Sequence, residues 1–248
     1  MAYTYTNHPT LGRGRLYFAS TADQYVDLGN ASEFNLNIEL EKKEHFSSRA
    51  GLKVRDKNVV VQLTAKGKFV LDDAMKENVQ LFFMANAPTD VTQSQTTVTD
   101  QALTAKLSKW QPLGYWSVSG VVVQDVTDTT TYTEDTDYYL QLDAGLIYPI
   151  DGGSISADDV LHIDYVAATI TMYRVDAGED SSIGGHFWFV SDASEGYDID
   201  AKGYATLTPE GDFAMITDDW RQMSFAVEFE TNASYNGLID LYHRGEAA

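Results

Sequence analysis

The chain contains no cysteine. Disulfides and thiolate metal sites are therefore excluded, and the sequence is compatible with folding in a reducing compartment. Basic residues are scarce: 17 Lys and Arg stand against 37 Asp and Glu, a formal net charge of −20. Sequence-independent attraction to nucleic acid requires cations against phosphate, so this balance argues against an ordinary DNA-binding protein. No run approaches the roughly eighteen apolar residues that a membrane helix requires. The opening MAYTYTNHPT has neither a basic flank nor an apolar stretch and is not expected to be a secretory signal. The motifs HExxH, GxSxG, GxxxxGKS/T and GxGxxG are all absent.

What is present reads mainly as β. At 248 residues with 44% hydrophobic content, the chain can build packed cores and lies near the upper limit for one domain. Phe34, Leu36, Ile38 and Leu40 alternate with Glu33, Asn35, Asn37, Glu39 and Glu41. That period of two predicts a strand with one face on a core and one in water. Met223, Phe225, Val227 and Phe229 alternate likewise with Gln222, Ser224, Glu228 and Glu230. Between two such strands, residues 42–57 are polar and charge-dense, too long for a hairpin turn of about two to five residues. We read them as a long loop that becomes ordered against a second copy of the protein.

One segment departs from the β pattern. From Asp72 to Ala87, Met75, Val79 and Phe82 recur at helical spacing, Asp72 or Asp73 can cap the start, and Pro88 closes it. This predicts one amphipathic helix packed over a sheet. Residues 89–100 are threonine-rich without apolar periodicity and read as a linker. A β-rich stretch with turn signals at Asp143–Gly145 and Asp151–Gly153 follows. The expected organisation is a discontinuous main domain, 1–90 with 168–248, and a small inserted β-domain, 91–167.

Chemistry finds little support. His8, His45, His162, His186 and His243 are scattered without ligand-spaced partners. The cluster Glu134, Asp135, Asp137 and Asp143 is rich in oxygen ligands but lacks EF-hand spacing. The GRGR run from Gly12 to Arg15 is better explained as a strand lead-in than as a phosphate cradle. We expect no enzyme, no cofactor and no metal. A carbohydrate-binding β-sandwich is an alternative, with Tyr115, Trp116, Tyr138 and Tyr139 as a stacking platform.

Three stretches, in order, resemble the major tail tube protein of long-tailed bacteriophages. The first runs from GRGRLYFAS at Gly12 through the charged segment to Ala85. The second is YTEDTDYYLQLDAGLIYPIDGG with the strand that follows it, and the third runs from HFWFV at His186 to FAVEFE at Glu230. The resemblance implies an antiparallel β-sandwich or half-barrel with one flanking helix. It implies copies forming hexameric rings that stack into a hollow virion tail, assembled in the bacterial cytoplasm. Partners would be the chain itself, the tape measure, terminator and tail-tip or baseplate proteins, and double-stranded viral DNA passing through unbound. On this resemblance the lumen would be lined by Glu33, Glu39, Glu41, Lys66, Lys68, Glu228 and Glu230. The loop carrying Lys42, Lys43, Glu44, Arg49, Lys53, Arg55 and Asp56 would join ring to ring. An acidic wall suits a conduit that must release DNA.

Overall fold

A computed structural model describes residues 9–49, 51–193 and 196–246; the readings of residues 1–8, His8 included, lie outside the described residues. In chain order the elements are β1 (Gly14–Ala19), β2 (Val26–Asp27), β3 (Ala31–Ser47), β4 (Val54–Leu71) and α1 (Lys76–Phe82). Next come β5 (Thr89–Gln93), β6 (Thr96–Thr104), β7 (Gln111–Pro112), β8 (Val118–Asp125), β9 (Tyr138–Gln141), β10 (Leu146–Pro149), β11 (Val160–Ala167) and β12 (Ile170–Arg174). The chain closes with β13 (Ile183–Ser191), β14 (Tyr197–Glu210), β15 (Met223–Glu230) and β16 (Asp240–Glu246). The fold is mainly β, with several antiparallel sheets and one short helix. Contacts divide it into two compact units, Met1–Pro88 with Val175–Ala248 and Thr89–Arg174.

The first unit is built on an eight-stranded sheet in the order β2-β1-β13-β14-β15-β4-β3, with β16 also on β14. Its alternation follows from side-chain chemistry. Met223, Phe225, Val227 and Phe229 are buried, while Glu228 and Glu230 are exposed. Across β4, β15 and β14 the registers Phe69–Phe225–Pro209 and Gly67–Val227–Leu207 put apolar groups in rows on one face. Phe69 and Phe225 stack with centroids 4.9 Å apart. Burying a side chain of this size contributes about 1.5–3 kcal/mol. Phe34 of β3 lies 5.3 Å from Phe187 and 5.1 Å from Phe189 of β13, ring centre to ring centre. Three strands separate β3 from β13 in the hydrogen-bonded order, so the sheet curls until its edge faces its own middle.

The charged segment is not a loop. β3 and β4, 17 and 18 residues long, pair from Ala31↔Leu71 out to Ser47↔Val54. Lys42, Lys43 and Glu44 oppose Val60, Val59 and Asn58 across the ladder, which ends at Ser47 and Val54. The ladder has register shifts at Glu41/Lys42 and His45/Phe46. Between Leu40 and Phe46 the strand carries only Glu41, Lys42, Lys43, Glu44 and His45, so no apolar alternation marks it. Charges are tolerated because they pair across the strands: Arg55 with Glu44, and His45 with Asp56.

α1 is also shorter than expected, seven residues instead of a span from Asp72 to Ala87. Met75 is its N-cap and no side chain caps it; Asp72 instead accepts both Asn30 Nδ2 contacts, at 2.8 and 2.7 Å. The buried positions are Asn78 and Phe82, not Met75. Asn78 donates to the carbonyls of Leu28, at 2.9 Å, and Asp73, at 2.8 Å, and so ties the helix to the chain before it.

The second unit holds two three-stranded sheets, β7-β10-β9 and β6-β11-β8, and the pair β12-β5. The expected linker is therefore strand: β-branched Thr89, Thr92 and Thr96 favour extended backbone even without apolar alternation. Because Arg174 faces Thr89 in register, residues 168–174 belong to this unit rather than to the main one. Its core includes Leu113, Val123, Ile147, Leu161, Ile163 and Tyr165, whose hydroxyl donates to the Leu113 carbonyl at 2.7 Å. The turn joining β9 to β10 needs glycine: Gly145 has φ +61°, and a Cβ there would lie 1.8 Å from the Tyr115 carbonyl.

Candidate functional site

The face of the first unit's sheet opposite its core gathers the charged residues that alternation had put on one side. Lys66 opposes Asn37 on one neighbour and Glu228 on the other, and its Nζ lies 3.4 Å from Glu39 and 3.7 Å from Glu228. Lys68 Nζ lies 3.5 Å from Glu210. Glu230 accepts from the Thr206 hydroxyl at 2.7 Å, and Glu33 accepts from Asn35 Nδ2. Glu41 faces Gln62 across the ladder. These side chains are exposed or half-buried, and ion pairs this open contribute about 0–1 kcal/mol each, so their placement serves the surface more than stability. From Glu33 to Glu41 and across β4 and β15, five carboxylates stand against Lys66 and Lys68. Glu210 belongs to this group and went unnoticed in the sequence, because its partner Lys68 is more than a hundred residues away.

The same face turns aromatic towards β1. Lys202 Nζ sits 3.7 Å above the Trp188 ring, and Tyr17 and Tyr25 pack beside it. His186 meets the Tyr235 hydroxyl at 2.8 Å through Nδ1, and burial holds that hydroxyl well above its ordinary titration range. His186 is a satisfied, buried histidine.

The outer part of the β3–β4 hairpin is exposed along both strands. β15 reaches only to Ala65, so Val54–Thr64 of β4 pair with β3 alone. Eleven residues at about 3.3 Å each make a two-stranded arm of about 35 Å. Its flank remains apolar: Ile38 is 61% exposed, Leu40 47% and Leu63 52%. Arg49 and Lys53 lie in its tip, whereas Lys42, Lys43, Glu44, Arg55 and Asp56 lie on its strands. β3 is also an edge strand, with no strand on its outer side among the described residues.

In the second unit, the acidic cluster at 134–143 is not assembled for a cation. Asp137 turns inward and accepts from the Thr133 and Ser154 amides at 2.8 and 2.7 Å, which holds its carboxyl below the usual range. Donors converge elsewhere: one ligand atom each from Asp100, Asp128 and His162 lies within 4.8 Å of the others. His162 Nδ1 already contacts Asp128 at 2.8 Å. The turn carrying Asp128 is knitted by Asp125, which accepts from the Thr127 hydroxyl and the Thr129 and Thr130 amides. These bonds, the Thr127 hydroxyl first, lower the Asp125 carboxyl from 3.8 to about 2. A lowered folded value stabilises above the unfolded one and is lost as pH falls through the folded one. Acid melts of the full-length protein should therefore lose an increment between pH 3.8 and about 2. Asp125→Asn should remove that increment; an unchanged acid profile would mean the turn contributes nothing.

The expected aromatic platform is not formed either. Tyr138 is buried in the core and Tyr115 packs on Tyr165, because alternation on β9 points Tyr138 and Tyr139 to opposite faces. Exposed Trp110 and Tyr139 flank the half-buried Tyr148 in a row instead, with centroid separations of 5.2 and 6.1 Å.

Among the described residues no helix is long and apolar enough to cross a membrane. No curated protein matches the chain. A family model does match, over residues 9–235, which is most of the chain. The chain thus belongs to the family described as "Protein of unknown function UCP028589".

Proposed function

We propose that this chain is a virion structural protein that assembles with its own copies into the stacked rings of a phage tail tube. The observation that carries this reading is the arm. A two-stranded hairpin is marginal in water, and this one projects with its apolar flank exposed. Such an element is stable when a neighbour covers it, and the long free edge of β3 offers that neighbour a ladder of backbone groups. The curl of the sheet suits a half-barrel, and its charged face suits a lumen wall with Glu39, Lys66 and Glu228 at its centre. Arg49 and Lys53 in the arm's tip would meet the next ring.

Sedimentation velocity and negative-stain microscopy on a concentration series of the purified protein test this. Species much heavier than 27.5 kDa and tubes of uniform bore are expected. A monomer at every concentration would overturn it. A second reading, glycan binding, draws support from the row Trp110–Tyr148–Tyr139, whose outer members are exposed. It predicts that oligosaccharides alter tryptophan fluorescence and that Trp110→Ala removes much of the response.

A further inference from the structure

The segment between β14 and β15 exposes three large apolar side chains almost fully: Ile216 at 97%, Trp220 at 91% and Met215 at 74%. It is not a slack loop. Arg221 Nε donates to the Ala214 carbonyl at 2.8 Å and its Nη2 to the Met215 carbonyl at 3.3 Å, while the guanidinium lies 4.8 Å from the Phe213 ring. Phe213 in turn packs on Phe82 and Phe83, with centroids 5.6 and 5.2 Å away. An anchored loop therefore holds three large apolar groups in water, which costs free energy unless something covers them.

The same unit contains a matching concavity. A cavity of about 380 Å³ opens between β3, β1 and β16, walled by Leu16, Phe34, Leu36, Phe189, Ile199 and Leu241. A second, of about 300 Å³, shares Leu36 and Leu241 with it and continues to Ile38 and Leu63 at the root of the arm. This volume is within the range that admits a compact ring system. Arg13 lines the first cavity and makes no ion pair among the described residues. Glu33 lines it too but is engaged by Asn35. The loop supplies the opposite sign in Asp218 and Asp219, directly before Trp220.

Ala201, in the lining of the cavity, and Glu210, where the loop departs, are nine residues apart on one strand, about 30 Å. An ordered loop at one end of β14 does not fill a cavity at the other end in the same molecule. We propose that the loop docks into this groove of a second copy, Trp220 entering the apolar cavity and Asp218 and Asp219 meeting Arg13. The inference rests on the self-assembly reading and specifies its contact. Because the two surfaces differ, the contact is heterologous, and it propagates head to tail into a ring or a filament.

The test uses full-length protein in sedimentation velocity across a concentration series, with thermal melting as the folding control. Trp220→Ala should melt like the wild type, since the indole touches little in the free chain. It should raise the concentration needed for assembly by about thirtyfold or more, as loss of a buried aromatic anchor does. Arg13→Asp alone, or Asp218→Arg with Asp219→Arg, should impair assembly, and all three in one chain should restore it. A wild type that assembles while Trp220→Ala assembles at the same concentration overturns this contact and leaves the tube reading standing. Failure of the triple reversal to recover overturns the pairing of these two surfaces. A wild type that stays monomeric throughout overturns both.

Discussion

Replacing Ile38, Leu40 and Leu63 by serine is expected to abolish tube growth while the first unit stays folded. All three lie on the arm or its root, about half or more exposed in the isolated chain, so their loss removes little native packing. Covering the exposed part of each in an assembly would contribute about 1 kcal/mol at roughly 25 cal/mol per Å². Three such losses amount to a weakening of about a hundredfold for every contact, and the effect multiplies along a tube. Serine keeps the backbone ladder available, so the experiment separates side-chain burial from strand pairing. Sedimentation reads the assembly and thermal melting reads the core formed by Phe69, Phe187 and Phe225. Arg55→Glu, which sets a like charge beside Glu44, should act more weakly, since an exposed pair contributes about 0–1 kcal/mol. Normal tubes from the serine variant would show that the apolar flank is not an interface.

Lysine at Glu39, Glu228 and Glu230, in a phage that assembles tails from this protein, should slow DNA ejection and leave adsorption intact. The reversals put two new ammonium groups beside Lys66, which now bridges Glu39 and Glu228, and a third at the end of β15. A cationic wall holds phosphate by releasing condensed counterions, and the attraction recurs in every copy the duplex passes. Added salt should relieve the delay, because the screening length is about 8 Å at physiological ionic strength and shorter above it. The substitutions occupy exposed positions, so tail assembly and melting serve as controls on folding. Ejection at the original rate would mean that this face does not line the path of the DNA, or that its charge does not act on it.

Much of the sheet was legible in the chain, for a local reason. Where a strand has one face on the core and one in water, side chains alternate, and β15 from Met223 to Glu230 writes that division directly. The same rule placed Glu39, Lys66 and Glu228 on polar faces, though not in contact. Sequence carries a side chain's facing but not its neighbours, and only the register of β3 on β4 and of β4 on β15 joined them into one network. Glu210 joined Lys68 by the same means. The arm is not legible because residues 41–45 of β3 are all charged or polar, with no buried face to impose alternation, and so imitate a loop. The helix was overextended because Asp72 has the right chemistry for a cap but is held by Asn30.

The sequence alone determined that this is an acidic, cysteine-free, mainly β chain with alternating strands and a single helical segment. These are properties of composition and of neighbours a few residues apart. Tertiary structure alone decided that β5 and β12 close one unit, that Tyr138 is core while Tyr139 is surface, and that Trp220 stands in water while an apolar groove lies open elsewhere. Each of these depends on strands distant in sequence meeting in a particular register and on how far the sheet curls, and no local pattern of residues encodes either.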